Sequence, residues 1–482
     1  MEAELLLPGG TAGTTRWVVG RAAIAIASLG LLVLLVLLPP VYVLLAAALV
    51  AGLIVTLRFP VAGFCLLAFS IPWTSSFALP VAGFPVTFTD VLVASLAVGW
   101  FVSLRHEKSR TAPWTPFLLA FIVAIILSTT QAEDSHAALR EIVKWAEVAM
   151  VYVSASRLLT TRRELLAVVA ALIAAGVSEA LLGYVQFLFQ LGPEPFRLGR
   201  FLRAYGTFDQ PNPYAGFLNM TMPFALAGSI LSTGRRRWWS GVSLLLIVGA
   251  LLASESRGAL IAGLLAGVVV VGCIARPLAR LAWTGLLALV AGGLLASFGL
   301  VPLGPFARLL NAVGLGGIAF GDVNDANYSA VERAAHWLAG VRMFSAHPLL
   351  GVGIGNYEIA YPDFHPRGWY AALAHAHNYY INVAAEAGIV GLTAYALLAG
   401  SALWYSYAAK ERVHGTLARV AVLGALGALV ATSIHNLFDV LYVHGMAALV
   451  GLLVALVTVA TRLQSRYAHE TVGAGDGNSR TG

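Results

Sequence analysis

Long apolar runs separated by short polar links dominate this chain. A membrane-spanning helix needs about 20 mostly apolar residues, and within lipid only helices satisfy the backbone of such a segment. The pattern therefore predicts an all-α, polytopic transmembrane helical bundle of about 12–14 spans with one large extracytoplasmic loop. The candidate spans are roughly 17–38, 41–57, 61–79, 87–104, 113–130, 140–157, 164–190, 213–232, 238–254, 257–275, 281–300, 377–400, 415–434 and 440–461.

Composition favours a membrane protein over a soluble one. Of the residues, 59% are hydrophobic and 11% are charged, whereas about a quarter are charged in soluble domains. The formal net charge is +7, but most basic residues lie in short links between apolar runs. We therefore expect the lipid bilayer as a partner and no nucleic acid. Cys65 and Cys273 both lie within apolar runs, which excludes a disulfide framework and a cysteine-based metal site.

The basic links also predict orientation, because cytoplasmic links are enriched in Lys and Arg. The basic links fall on one side of the membrane if the spans alternate in direction. This side is the predicted cytoplasmic side, and both termini are expected to lie there. The predicted divisions are N-terminal spans over 1–300, a large periplasmic loop over 301–376, C-terminal spans over 377–461 and a disordered cytoplasmic tail over 462–482. A loop of about 75 residues in such a compact chain indicates a function. The basic links contain Arg105, Lys108, Arg110, Arg157, Arg162, Arg163, Arg235, Arg236, Arg237, Arg276, Arg280, Lys410, Arg412, Arg462 and Arg466.

Further basic residues lie on the predicted outer side, against this bias. Arg140 and Lys144 are four residues apart and share a helix face. Arg257 stands in "SESRGAL" between two apolar runs, where a charge usually faces the bundle interior or a water-filled cavity. Arginine suits phosphate because its planar fork binds two oxygens at once, so we predict an anionic ligand at this face. The alternative is that each arginine reaches a lipid headgroup or caps a helix. The other outer arginines are Arg197, Arg200, Arg203, Arg333 and Arg342.

Two segments combine turn residues with polar side chains. In "TFDQPNPY" at 207–214, Pro211 and Pro213 end regular structure, and Asn212 can either cap a helix or bind a sugar or phosphate. "PLLGVGIGNY" at 348–357 looks like a phosphate-binding loop, but no strand precedes it. We expect it to form a tight turn that packs the large loop against the membrane face.

Histidines mark the end of the large loop. His375 and His377 can accept a proton near neutral pH, so either could deprotonate a hydroxyl. Helix capping is the structural alternative, and no HExxH-like spacing supports a metal site. Glu386 is expected to bind a loop arginine or a neighbouring span. A second polar turn, "SIHNLFDVLYVHG" at 433–445, includes His435 and Asp439; Asp439 could orient a histidine, pair with an arginine or cap a helix.

A histidine signature carries a family resemblance. His377 and Asn378 are followed by nine residues and then by Gly388, Ile389, Val390 and Gly391. This arrangement resembles the O-antigen ligase and O-antigen polymerase superfamily, which includes bacterial O-oligosaccharyltransferases. "GTFDQPNPYAGF", "SRGAL" and "RAAHWLAGVRMFSAHPLLGVGIGNY" resemble other stretches of the family, so the likeness covers roughly residues 200–445.

The resemblance implies a metal-independent, GT-C-type glycosyltransferase in the bacterial inner (plasma) membrane that needs no cofactor. The donor would be a glycan on undecaprenyl pyrophosphate at the outer leaflet, and the acceptor would be the lipid A core or another glycan. His377 would act as base, with Arg257 and Arg203 as catalytic residues on the pyrophosphate. The residues expected to bind substrate are Arg140, Lys144, Asn212, Arg333, Arg342, His375, Asn378, Glu386, His435 and Asp439.

Several functions stay open at this point. A ligase would transfer to the lipid A core, a polymerase to another lipid-linked repeat unit, and an O-oligosaccharyltransferase to protein. Leu392 departs from the Gly, Thr or Tyr that often follows the signature in ligases. A polysaccharide transporter or flippase is the alternative from another class, although its polar groups would gather at the bilayer midplane.

Overall fold

The computed structural model describes residues 50–74, 78–81, 84–104, 112–275 and 328–477, together with positions 277, 280, 284 and 285. The chain divides into two compact units, Met1–Val55 and Thr56–Gly482. Every contact considered below lies within the second unit.

Helices make up most of the described residues. Their bounds are α1 Pro60–Ser70, α2 Phe88–Ser103, α3 Thr115–Ser128, α4 Ser135–Leu158, α5 Arg162–Phe189, α6 Pro211–Leu231, α7 Gly234–Ala253, α8 Arg257–Ile274, α9 Tyr328–Ala346, α10 Tyr357–Phe364, α11 Tyr379–Ala409, α12 Thr416–His435 and α13 Met446–Gly477.

Extended structure in the described residues is limited to two short antiparallel hairpins. Strand β1 (Ala78–Val81) pairs with β2 (Phe84–Thr87), with Ala78 opposite Thr87. Strand β3 (Arg197–Leu198) pairs with β4 (Phe201–Leu202) in the link between α5 and α6. Single 3-10 turns occupy Ile71–Trp73, Thr129–Gln131 and Glu194–Phe196.

The fold class predicted from the sequence is confirmed. Among the described residues, 7 helices are long and apolar enough to cross a membrane, and α1, α2 and α3 are shorter apolar helices. The chain is therefore an all-α, multi-pass membrane protein. The predicted spans 17–38 and 281–300 lie wholly or largely outside the described residues, as does most of 41–57, so the total of about 12–14 stays a prediction.

Two boundaries differ from the sequence-based expectation. The predicted span 61–79 is wrong in its second half, because α1 ends at Ser70 and a 3-10 turn containing Pro72 follows. Proline lacks the N–H that would continue a helix, and β1 then begins at Ala78. At the other end of the chain, α13 continues to Gly477, past the predicted start of the tail at residue 462.

A buried aromatic cluster supports the start of α11. Trp145 packs edge-on against Tyr442 with ring centroids 5.1 Å apart, and Tyr379 packs against Tyr442 at 4.5 Å. The hydroxyls of Tyr395 and Tyr442 lie 2.8 Å apart and hydrogen bond. Such edge-to-face pairs fix ring positions as well as burying apolar area. They anchor α11 at Tyr379, which directly follows His377 and Asn378.

The glycine-rich loop packs against a break in α11. Gly388 has φ 61° and ψ −160°, so the helix is interrupted there. The loop satisfies the backbone groups around the break: the Val352 N–H donates to the Ala385 carbonyl at 2.9 Å, and the Ile389 N–H donates to Pro348 at 2.8 Å. A Cβ on Gly388 would lie 2.3 Å from the Leu349 backbone, and one on Gly351 would lie 2.3 Å from that of Glu386. The predicted tight turn is confirmed and packs against α11, and its place at the membrane face stays a prediction.

Candidate active site

Polar side chains from four segments converge at one end of the bundle. The segments are residues 203–212 before and at the start of α6, residues 254–257 at the start of α8, residues 375–378 before α11, and residues 435–439 after α12. They are separated by up to 227 positions in the chain and meet through side-chain hydrogen bonds.

The histidine turn is fastened to the turn after α12. Asn378 caps α11, since its amide oxygen accepts the N–H groups of Tyr380 and Ile381 at 3.0 and 3.1 Å. Its amide nitrogen donates to the Leu437 carbonyl at 3.0 Å, and the Tyr379 N–H donates to Asn436 at 2.8 Å. Asn378 therefore positions His377. The predicted contact between Asn378 and the substrate stays a prediction.

Asp439 lies between the two predicted histidines. Its Oδ1 is 3.3 Å from His377 Nδ1 and 3.9 Å from His375 Nε2, and its side chain is only 9% exposed. Burial alone would raise the pKa of Asp439, but the His377 hydrogen bond and the nearby histidines hold that pKa below its ordinary value. Burial lowers the pKa of His375 to about 4. The carboxylate is thus ionised and His375 is neutral near pH 7.

Asn212 connects this carboxylate to an arginine. Its amide nitrogen donates to Asp439 Oδ2 at 2.8 Å. Its amide oxygen accepts from Arg203 Nη2 at 3.1 Å and from the Ser256 hydroxyl at 2.9 Å. Arg203 Nε also donates to the Ser254 carbonyl at 2.8 Å. The helix-cap alternative for Asn212 is wrong, because Gln210 is the N-cap of α6.

Two further arginines act electrostatically on Arg203 in this region. Burial lowers the pKa of Arg203 to about 10; Glu255 opposes that shift, and the charges of Arg333 and Arg257 add to it. Arg257 begins α8 with an exposed side chain, which excludes the bundle interior and leaves the water-filled cavity as a prediction. Arg333 Nε is buried and has no hydrogen-bond partner among the described residues. This concentration of positive charge suits an anionic ligand.

The backbone is strained at the same place. Glu255, His377 and His444 adopt φ values of 49°, 50° and 50°, in the left-handed region that favours glycine. Each such residue costs on the order of 1–3 kcal/mol and persists only where its surroundings enforce it. His444 is held by Asp209, whose carboxylate lies 2.9 Å from its Nε2. Backbone strain of this kind clusters at functional sites.

Other predicted site residues have structural contacts. Arg342 donates to the carbonyls of Phe364 and His365, both at 3.1 Å. Glu386 is buried and accepts the Tyr357 N–H at 3.0 Å, so its partner is loop backbone rather than the loop arginine considered from the sequence.

Three further candidates form no side-chain hydrogen bond with this network in the described residues. Arg140 is exposed on α4, and Lys144 on the same helix forms an ion pair with Glu141. His435 is buried at the end of α12 and acts electrostatically on Asp439. Their predicted roles as substrate-binding residues stay predictions.

His336 was not singled out from the sequence. It lies in α9 with its ring centroid 5.7 Å from that of His377, and it stacks on Tyr361 at 4.6 Å. Burial lowers the pKa of His336 to about 4. The sequence feature that could have indicated His336 is its position three residues after Arg333, which places both residues on one helix face.

One set of side chains in the described residues could hold a metal ion. His375, His377 and Asp439 each offer a ligand atom, and these atoms lie within 4.8 Å of one another. Two histidines and a carboxylate form a common ligand set for zinc. The same geometry also suits a histidine base oriented by a carboxylate, as in hydrolases with an Asp–His pair.

No curated protein matches the chain. Residues 215–396 match the family model described as O-antigen ligase, and that segment runs from α6 to beyond the histidine signature in α11. This match supports the resemblance to the O-antigen ligase superfamily, whose members are glycosyltransferase-like ligases and polymerases.

Proposed function

We propose that the chain transfers a glycan from undecaprenyl pyrophosphate to a hydroxyl of the lipid A core, at the outer face of the bacterial inner membrane. One observation carries the proposal: hydrogen bonds run continuously from His377 through Asp439 and Asn212 to Arg203. This network joins a proton acceptor to a cluster of positive charge. Glycan transfer from a pyrophosphate needs both, because a hydroxyl must lose its proton while an anion departs.

His377 is the proton acceptor in this proposal. With its Nδ1–H donating to Asp439, the lone pair of the neutral ring lies on Nε2. Nε2 takes the proton of the acceptor hydroxyl as that oxygen forms a bond to the anomeric carbon. The ionised Asp439 then stabilises the imidazolium that results. A positioned base of this kind contributes about 10²–10⁴-fold to the rate.

The arginines bind the leaving group. As the bond between the anomeric carbon and the pyrophosphate oxygen breaks, negative charge grows on the departing phosphates. Arg203 is held in place by Ser254 and Asn212, and Arg333 retains an unpartnered donor within the described residues. Fixed donors aimed at developing charge are among the strongest contributors to catalysis. Arg257 adds further charge at the start of α8.

The acceptor separates the alternatives within the superfamily. The description of the matching family favours a ligase, whereas Leu392 departs from the common ligase pattern. A polymerase or a protein O-oligosaccharyltransferase would use the same donor chemistry. The helix α9 places His336 and Arg333 beside the site, so this part of the large loop is positioned to select the acceptor.

The test is transfer by the purified protein. Undecaprenyl pyrophosphate loaded with a glycan would be supplied with lipid A core, and wild type would be run beside His377→Ala. Transfer to the lipid A core that is lost in the variant would support the ligase and its base. Growth of the glycan on the donor would identify a polymerase instead. Absence of transfer from any donor by folded wild type would refute the enzyme and favour a flippase.

A further inference from the structure

A cavity lies at the opposite end of the helices that carry the candidate active site. It measures about 920 Å³ and opens between the ends of α8 and α11 and the start of α12. After its break at Gly388, α11 continues to Ala409, and at about 1.5 Å per residue this part alone separates the cavity mouth from the histidine turn by about 30 Å. The cavity therefore belongs to the other face of the membrane and is distinct from the active site.

The cavity is polar at its mouth and apolar in its depth. Its mouth is lined by Lys410, Glu411, His414 and Arg419. Along α12 the lining continues from Arg419 through Leu423 and Leu426 to Val430, a length of about 17 Å. This exceeds half of the hydrocarbon thickness of about 30 Å. Such a gradient matches an amphiphile whose headgroup stays at the membrane surface while one chain enters the protein.

The charges at the mouth favour an anionic headgroup. Lys410 forms an ion pair with Glu411 and lies over the Tyr407 ring at 4.2 Å. The Arg419 side chain has no hydrogen-bond or ion-pair partner in the described part of the chain, so its guanidinium is available to phosphate oxygens. Basic pockets between membrane helices commonly bind anionic lipid headgroups.

We propose that this cavity binds one anionic phospholipid from the leaflet opposite the active site, with the phosphate at Arg419 and an acyl chain along α12. The lipid fills the space between α8, α11 and α12. Because α11 and α12 carry His377 and Asp439 near their far ends, the bound lipid stabilises the helix pair that holds the active site. The inference does not depend on which glycan acceptor the enzyme uses.

Gly400 offers a direct steric test. A Cβ added at Gly400 meets nothing within 4 Å, and this residue lines the cavity, so Gly400→Leu should fill it without clashing. Gly241 in α7 is a matched control, because its added Cβ also meets nothing within 4 Å and it lies outside the cavity lining. Phosphatidylglycerol binding to each protein would be measured by native mass spectrometry, with the thermal midpoint reporting folding.

The expected result is one tightly retained phosphatidylglycerol on wild type and on Gly241→Leu, and loss of that lipid on Gly400→Leu. Full retention by Gly400→Leu would overturn the proposal.

Headgroup selectivity is tested separately through charge. Arg419→Gln should lower occupancy by phosphatidylglycerol about fivefold and leave phosphatidylcholine unchanged. Arg236→Gln, which removes an exposed arginine at the start of α7, is the control for general surface charge. Equal binding of the two lipids by wild type, or equal losses in the two arginine variants, would contradict an anionic-lipid site at Arg419.

Discussion

Two turns that lie against the first part of α11 show how similar sequence features serve different purposes. The glycine-rich loop at 348–357 and the histidine turn at 374–378 both contain positive φ angles. In the first, these angles occur at Gly351, Gly353 and Gly355, where glycine adopts them without strain. In the second they occur at Ala374 and His377, which adopt them only at a cost.

The two turns also differ in what their polar groups contact. The glycine-rich loop looks like a phosphate-binding loop, but its N–H groups are already used: Val352 donates to Ala385, and Ile354 donates to the Ser128 hydroxyl at 3.2 Å. In the histidine turn, the side chains of His375 and His377 face Asp439 and stay partly exposed. Backbone N–H groups that already have hydrogen-bond partners indicate a packing role. A strained backbone that carries partly exposed titratable side chains indicates a catalytic role.

The largest expected effect follows replacement of the strained histidine. His377→Asn should lower the transfer rate by about 10²–10⁴-fold, because the base is lost. Asparagine tolerates the left-handed backbone, so the thermal midpoint should stay near that of wild type. Initial rates and the midpoint would be measured on the same preparation. A variant that keeps wild-type turnover would rule out His377 as the base.

The next largest effect concerns the arginine side of the network. Arg203→Lys should lower turnover by about 10²–10³-fold, because an ammonium cannot bridge Ser254 and Asn212 while also binding phosphate. Arg257→Lys should also lose most of its activity. The control is Arg342→Lys, since the Arg342 side chain donates to the carbonyls of Phe364 and His365 and not to the members of this network. Equal rates in all three variants would count against pyrophosphate contact at Arg203.

Helix periodicity and the histidine signature were readable from sequence because both are local. The bundle, the packed glycine-rich loop and most of the converging residues could be predicted from apolar run length and from polar groups in the outer links. The bond between Asn212 and Asp439 could not, because it joins residues 227 positions apart and depends on how α6 and α12 pack. The same applies to His336, whose proximity to His377 follows from the placement of α9 across α11.

Stability rather than chemistry should respond to a change at Gly388, where α11 packs against the glycine-rich loop. Gly388→Ala introduces a Cβ about where the Leu349 backbone stands, at a φ of 61°. We expect a loss of about 1–3 kcal/mol in unfolding free energy, with the surviving folded protein retaining its transfer rate. Gly400→Ala, which meets open space, is the matched control. Wild-type stability in Gly388→Ala would contradict the packing role of the glycine-rich loop, and with it the contrast between this loop and the histidine turn.

A smaller effect should appear as a pH dependence of stability. The pKa of His336 is lowered to about 4 by burial, below its ordinary 6.5. The folded state therefore favours the neutral ring, and this contribution is present above pH 6.5 and is lost as pH falls towards 4. The thermal midpoint should decline over that range in wild type and decline less in His336→Phe. Parallel curves for the two proteins would contradict a neutral, buried His336.

The smallest expected effect is that of removing metal ions. His375, His377 and Asp439 could together hold an ion, yet Asp439 Oδ1 already accepts the Val440 N–H at 2.9 Å and lies within hydrogen-bond distance of His377. The arginines supply the positive charge that a metal would otherwise bring to a pyrophosphate, so EDTA should leave the transfer rate unchanged. Inhibition by EDTA that zinc reverses, and that His375→Gln abolishes, would replace the oriented base with a metal centre at the same three residues.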